Sequence, residues 1–172
     1  LINYFIYKNK FLDAEKIIRH SAEEYNSNLL IKQTENFFLN NKNEKIKSFF
    51  NCQNPQDSLA EFFYVIANLY SSEKNYQLSN FYLKISLFLN NKFLTNKTLL
   101  AENLFYQEQN EISKNIYNSL KSIGPVYSWY ASKSIAAILL NERGKKYSIS
   151  NLEDEFNLIL NPNFEHYYEL AN

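Results

Sequence analysis

The chain has 172 residues, enough for one large domain or several small ones. Its 18 basic side chains balance 18 acidic ones, and no run of lysine or arginine is longer than two. The basic excess that marks bulk nucleic-acid binding is therefore missing. Two glycines and three prolines are too few turn residues for a β-rich fold of this length, but enough for a series of helices.

Residues 1–9 read as the end of one helix, and Phe11 opens another. In the second, Phe11, Ala14, Ile18 and Ala22 recur at helical spacing before Asn26-Ser27-Asn28 closes it. Residues 29–40 form the next helix, carrying Leu30, Phe37 and Phe38, and a turn over 40–43 leads into a short helix over 44–50. Asn54-Pro55 reads as the stop of that helix. Asp57 or Ser58 is the expected cap of the following helix, with Glu61 in capping-box register to Ser58. Phe62, Phe63, Ile66, Ala67, Leu69 and Tyr70 give that helix an apolar arc broad enough for neighbours on two sides. A turn over 71–75 precedes a helix over 76–89. The pattern then repeats, with Leu100, Ala101 and Leu104 on a first helix and Ile112, Ile116, Tyr117 and Leu120 on a second. Gly124-Pro125 reads as its stop, the glycine suiting a left-handed cap. A small-residue helix over 129–142 ends at Gly144. After a longer loop, a helix over 152–160 is expected, capped by Ser150 or Asn151, and one more helix starts at 164.

Laid over one another, residues 60–93 and 94–127 echo at a period of 34. Ile66-Ala67 falls on Leu100-Ala101, Ser79 on Ser113, and Leu83 on Tyr117. A fixed period of this size indicates stacked helical hairpins. No apolar run approaches the length of a membrane span, and the first four residues lack the basic start of a secretory signal. The chain has no methionine and opens in mid-pattern, as a piece of a longer protein would. The compartment, cytoplasmic or periplasmic, stays open. The single cysteine, Cys52, permits no internal disulfide and reads as a small apolar side chain rather than a nucleophile.

These residues resemble the tetratricopeptide repeat, whose pattern places a bulky residue, a small residue and tyrosine on helix A, and alanine, an aromatic and a late proline on helix B. The matching positions are Phe63, Ile66, Ala67, Tyr70, Ser79, Leu83 and Asn91 in one unit, and Lys97, Leu100, Ala101, Leu104, Ser113, Tyr117 and Pro125 in the next. Ala14 and Ile18 occupy the helix B slots near the start, and Leu160-Asn161-Pro162-Asn163 is similar to the family's usual ending. Lys97 in the bulky slot and Glu108 where glycine often turns the chain are departures. Serine in the alanine slot keeps the packing if its hydroxyl bonds back to its own helix. The density of tyrosine and asparagine resembles that of proteins from AT-rich bacteria.

The resemblance implies an all-α, right-handed α-solenoid of stacked antiparallel helical hairpins. Its repeats would be a partial one at 1–28, a degenerate one at 29–59, then 60–93, 94–127 and 128–164, with a further helix beginning at 165–172. It implies a scaffold holding a peptide or a partner's helix in the concave groove, with no enzymatic activity, metal or cofactor. The groove positions carried over are Gln33, Phe37, Tyr64, Asn68, Ser71, Thr98, Glu102 and Phe105, with Trp129 as an aromatic contact on the wall. Tyr64 stands where members that grip a C-terminal carboxylate need lysine, so that clamp is not expected. Self-association through the end repeats is a further expectation. Two other readings stay open: an accessory domain of a larger enzyme, and an RNA-binding helical-hairpin repeat, which the zero net charge opposes. His20/Glu23 and His166/Glu169 each place imidazole and carboxylate on one helix face, but at opposite ends of the chain. They read as ordinary exposed side chains. Asn96-Lys97-Thr98 matches a glycosylation sequon that an asparagine-rich chain produces by chance.

Overall fold

The computed structural model describes residues 1–51 and 53–171; Cys52 lies outside the described residues. Among them are eleven helices and no strand: α1 (Ile2–Tyr7), α2 (Phe11–Glu24), α3 (Leu29–Leu39), α4 (Asn43–Phe49), α5 (Pro55–Ser72), α6 (Tyr76–Leu89), α7 (Leu94–Tyr106), α8 (Asn110–Lys121), α9 (Pro125–Arg143), α10 (Lys145–Phe156) and α11 (Phe164–Ala171).

The repeat is visible in the backbone. Asn9, Asn41, Lys74 and Glu108 all sit at positive φ, between 55° and 61°. Each lies just after the first helix of a hairpin and makes the same turn. Its own N–H bonds three residues back, and the next N–H bonds five residues back, as in Lys74→Ser71 and Asn75→Tyr70, or Glu108→Phe105 and Gln109→Leu104. This is the Schellman closure of a helix C-terminus. Five residues past each turn stand Ala14, Ile46, Ser79 and Ser113, all buried in the hairpin. The Ser113 hydroxyl does not bond back to its own helix but donates to the Ala101 carbonyl at 2.8 Å, and Ser148 does the same to Ala136 at 2.8 Å. Ser113 and Ser148 thus stitch the second helix to the first, whereas the Ser79 hydroxyl accepts from Asn103 of α7.

Three boundaries differ from expectation, each for a local reason. Asn54-Pro55 starts a helix instead of stopping one: the Asn54 side chain accepts from Gln56 N at 3.1 Å and Pro55 takes the first helical position. Asp57, read as a possible cap, instead accepts from Asn51 N at 2.7 Å, pinning the loop before α5. Gly124-Pro125 likewise opens α9, and Gly124 has extended backbone at φ 170°, not a left-handed cap. Gly144, at φ 84°, reverses the chain in a single residue, so α10 begins at Lys145 and the expected long hairpin loop does not form.

Consecutive helices pack on one another from α5 through α10. The core runs through Ala67, Leu83, Leu99 and Leu100, then Ala101, Tyr117, Leu120, Tyr127, Ala131, Ile135 and Ile138. A stack in which each hairpin touches only its neighbours does not describe the first four helices. There α1 packs on α4, and α3 packs on α9, far along the chain. The α1–α4 unit is further tied to the junctions between later hairpins. Asn90 Nδ2 donates to the Phe49 carbonyl at 2.9 Å, and Phe50 meets Phe93 at 6.0 Å between ring centroids.

Candidate functional site

The contact between α3 and α9 turns on one side chain. Gly124 caps α9 but has no side chain with which to bond the first free amides of the helix. Gln33 supplies that bond: its Oε1 accepts from Val126 N at 3.1 Å and Tyr127 N at 3.4 Å. A Cβ on residue 124 would lie 2.4 Å from Gln33 Nε2, so only glycine lets the amide approach this closely. Gln33 is thus buried inside the chain and does not face outward as expected. Phe37 is also buried, stacked on Phe49 at 6.0 Å with Lys45 over its other side.

Beside this joint lies a groove of about 810 Å³ between α3, α9, the 157–163 segment and α11. Leu29 and Leu39 from α3, Val126 and Trp129 from α9, and Leu158 and Leu160 from the segment before α11 supply apolar lining. Asn36, Asn40, Asn161 and Asn163 add side-chain amides. Trp129 anchors one wall. Its Nε1 donates to Glu169 Oε2 at 2.6 Å, and its ring meets Phe156 at 6.1 Å and His166 at 5.4 Å. These contacts tie it to α10 and α11, the helices that follow it. Lys133 pairs with the other Glu169 oxygen, and Lys32 pairs with Glu165 at 2.8 Å. Burial alone would raise the Glu169 pKa, but the bonds from Lys133 and Trp129 outweigh it and hold the carboxyl below its ordinary value. Burial lowers His166, outweighing the nearby Glu165 and Glu169 charges, so the neutral ring is favoured. His166 N donates to the Asn163 side-chain oxygen at 3.1 Å, a cap that starts α11.

Of the nine expected groove residues, only Trp129 lines this cavity. Tyr64, Asn68, Ser71, Thr98, Glu102 and Phe105 lie on α5 and α7. Asn68 is exposed there. The Ser71 hydroxyl donates to Asn103 at 2.6 Å, and Thr98 donates to the Thr95 carbonyl at 2.7 Å. Tyr64 is half-buried against Phe93, at 5.3 Å. Phe105 packs against its neighbour Tyr106 and the core. Glu102 accepts the Tyr130 hydroxyl. Burial first, and the Glu102 charge second, push Tyr64, Tyr117 and Tyr130 above the ordinary tyrosine value, so these phenols stay protonated donors. Three of those six side chains are thus bonded within the chain, to Asn103, Thr95 and Tyr130, and none of the six lines the groove. Among the described residues no group of three or more metal-type ligands converges, and His20 lies exposed on α2.

The lining of the groove comes from stretches about 90 and 130 residues apart in sequence. A local pattern signals Trp129 but cannot show the wall opposite it. No family model matches the chain, and no curated protein and no solved structure matches it. Over the described residues the chain is all-α, its helices packed consecutively and none of them long and apolar enough to cross a membrane.

Proposed function

We propose that the chain is a protein-interaction scaffold of the tetratricopeptide-repeat kind, a right-handed stack of helical hairpins. In this reading it holds an extended peptide in the groove between α3, α9 and α11. The observation that carries it is the groove itself: about 810 Å³, open, apolar along its walls and studded with asparagine amides. That size falls within the roughly 300–1,000 Å³ of sites that enclose small ligands or a few peptide residues. Its amides suit the N–H and C=O groups of an extended backbone, and its leucines suit alternate side chains. Most of its charges are already paired within the chain, leaving Lys42 and Glu35, one of each sign, without an ion pair. The matching peptide is apolar with little net charge. The recurrent Schellman turn, spaced by 32 to 34 residues, supports the repeat reading.

The test is selection from a random peptide library, followed by fluorescence anisotropy on the intact chain. Leu39→Glu with Leu158→Glu changes two exposed groove residues and should leave the helical circular dichroism intact. Selected peptides should bind this variant at least about tenfold more weakly, a loss of roughly 1.4 kcal/mol. Asn68→Arg, on α5, should not alter binding. If Asn68→Arg abolishes binding and the groove variant does not, the peptide lies along α5 and α7 and this site is wrong.

A further inference from the structure

The face of α5 that looks away from α7 is built to be covered and is not. In the 34-residue register, Leu59, Phe62, Val65, Ile66 and Leu69 of α5 correspond to Phe93, Asn96, Leu99, Leu100 and Asn103 in and just before α7. All five counterparts are buried, none more than 9% exposed, because the α5–α6 hairpin lies on them. On α5 itself Leu59 is 50%, Phe62 57%, Val65 53% and Leu69 61% exposed. The reason is topological: α3 docks on α9, and neither α3 nor α4 packs substantially on α5. The stripe continues across the hairpin through the stacked Phe63, Tyr82 and Tyr70 rings to Phe81, itself 56% exposed.

We infer that this face is the interface of a two-fold symmetric homodimer, with α5 packed antiparallel on α5 of a second copy. Three observations fit a second copy. The first is size: with 150–250 Å² for a whole aromatic side chain, the exposed stripe presents on the order of 500–700 Å² of apolar surface. That lies at or above the upper end of the roughly 300–600 Å² of a typical monomer's largest patch, and approaches the roughly 800 Å² that each partner contributes to a standard interface. The second is self-complementarity. A two-fold axis near residue 64 sets Leu59 against Leu69 of the other copy, and Phe62 against Ile66, so every position meets an apolar partner. The third is charge. No Lys, Arg, Asp or Glu lies within the stripe, so the pairing opposes no like charges. The same operation brings Glu73, at the end of one α5, beside the N-terminus of the other at Pro55, where a negative charge is favoured.

Sedimentation velocity of the whole chain between about 1 and 100 μM tests the dimer. The expected species has twice the 20.4 kDa mass of the chain. Phe62→Glu, at an exposed position, should give a monomer with unchanged helical circular dichroism. Leu59→Lys and Leu69→Glu should each weaken the dimer, and the double variant should restore it, since the antiparallel pairing sets each lysine against a glutamate. A wild-type monomer throughout the range overturns the inference. So does a dimer indifferent to Phe62→Glu, a double variant weaker than either single one, or open-ended filaments, which would mean a head-to-tail contact. None of these residues lines the peptide groove, so the outcome is independent of peptide binding.

Discussion

Gln33 caps a helix whose first residue, Pro125, lies 92 positions after it, and this joint can be isolated with two substitutions. Gln33→Ala removes the acceptor for Val126 N and Tyr127 N. Loss of an N-cap costs about 1 kcal/mol, within a range of about 0.5–2. Tyr127 is fully buried, and leaving its amide unpaired adds about 1 kcal/mol or more. The expected destabilisation is therefore about 2–3 kcal/mol. Gly124→Ser alone places a Cβ 2.4 Å from the Gln33 amide and expels it, and the new hydroxyl then takes over only part of the capping. The extended backbone of Gly124 accepts any side chain, so strain at residue 124 adds nothing. In the double variant the clash is gone and the serine hydroxyl can cap α9 from its own N-cap position. It should therefore be more stable than Gln33→Ala by about 1 kcal/mol, a coupling that additive sites do not show. Urea unfolding followed by circular dichroism measures all three. If the double variant equals the sum of the singles within about 0.5 kcal/mol, the long-range cap contributes nothing and the reasoning fails.

Asn103, fully buried, donates to Ser79 and Asn80 and accepts from Ser71, so Asn103→Ala should cost about 2–3 kcal/mol in the same urea assay by stranding three polar groups. Glu108 holds a left-handed turn at φ 61°, and Glu108→Gly should raise the midpoint of thermal unfolding, by the equivalent of about 0.5–1 kcal/mol. Gly144→Ala meets no neighbouring atom, so any loss is backbone strain alone, about 1–3 kcal/mol at φ 84°. The end of the chain should loosen on acidification. His166 and Glu169 both have lowered folded pKa values, so each contributes stability above its unfolded value that is lost as the pH falls through the folded one. The loss begins below about pH 6.5 for His166 and below about pH 4.3 for Glu169. Trp129 fluorescence reports it, and a signal flat from pH 7 to pH 3 would contradict the Trp129–Glu169 contact.

The sequence made the repeated hairpin legible and left its exceptions hidden. Residues 76–89 were readable as a helix, as observed, because Asn75 caps it and the apolar spacing is regular. Ala67, Ala101, Leu83 and Tyr117 fill the slots that the echo assigns to the core. Asn-Pro and Gly-Pro were ambiguous in principle, since proline cannot continue a helix yet favours its first turn. At Gly124 the ambiguity is settled by a cap that lies in another hairpin, beyond any local pattern. The frame of the two clear repeats, transferred to residues 29–59, places Gln33 and Phe37 outward, whereas docking on α9 takes Gln33 in and the α1–α4 cluster takes Phe37 in. α10 has no fully buried side chain, so its periodicity carried little information about where it begins.

One feature of the chain accounts for both surfaces. α4 has seven residues, about 10 Å of helix, while α5 has 18, about 27 Å. A helix that short covers less than half of the α5 face, so stacking α3–α4 there would leave much of the apolar stripe wet. Docking on α9 instead packs Leu29, Leu30 and Phe49 against the main core and satisfies the helix start that Gly124 leaves open. The same displacement sets α3 opposite α9 and α11, which makes the two walls of the groove, and it uncovers Leu59, Phe62, Val65 and Leu69. Were residues 40–50 extended into a full-length second helix, the preferred partner of the first unit would shift from α9 to α5, and the groove and the dimer face would be lost together. The shortness of α4 therefore ties the two proposed surfaces to one cause, the docking of α3–α4 away from α5.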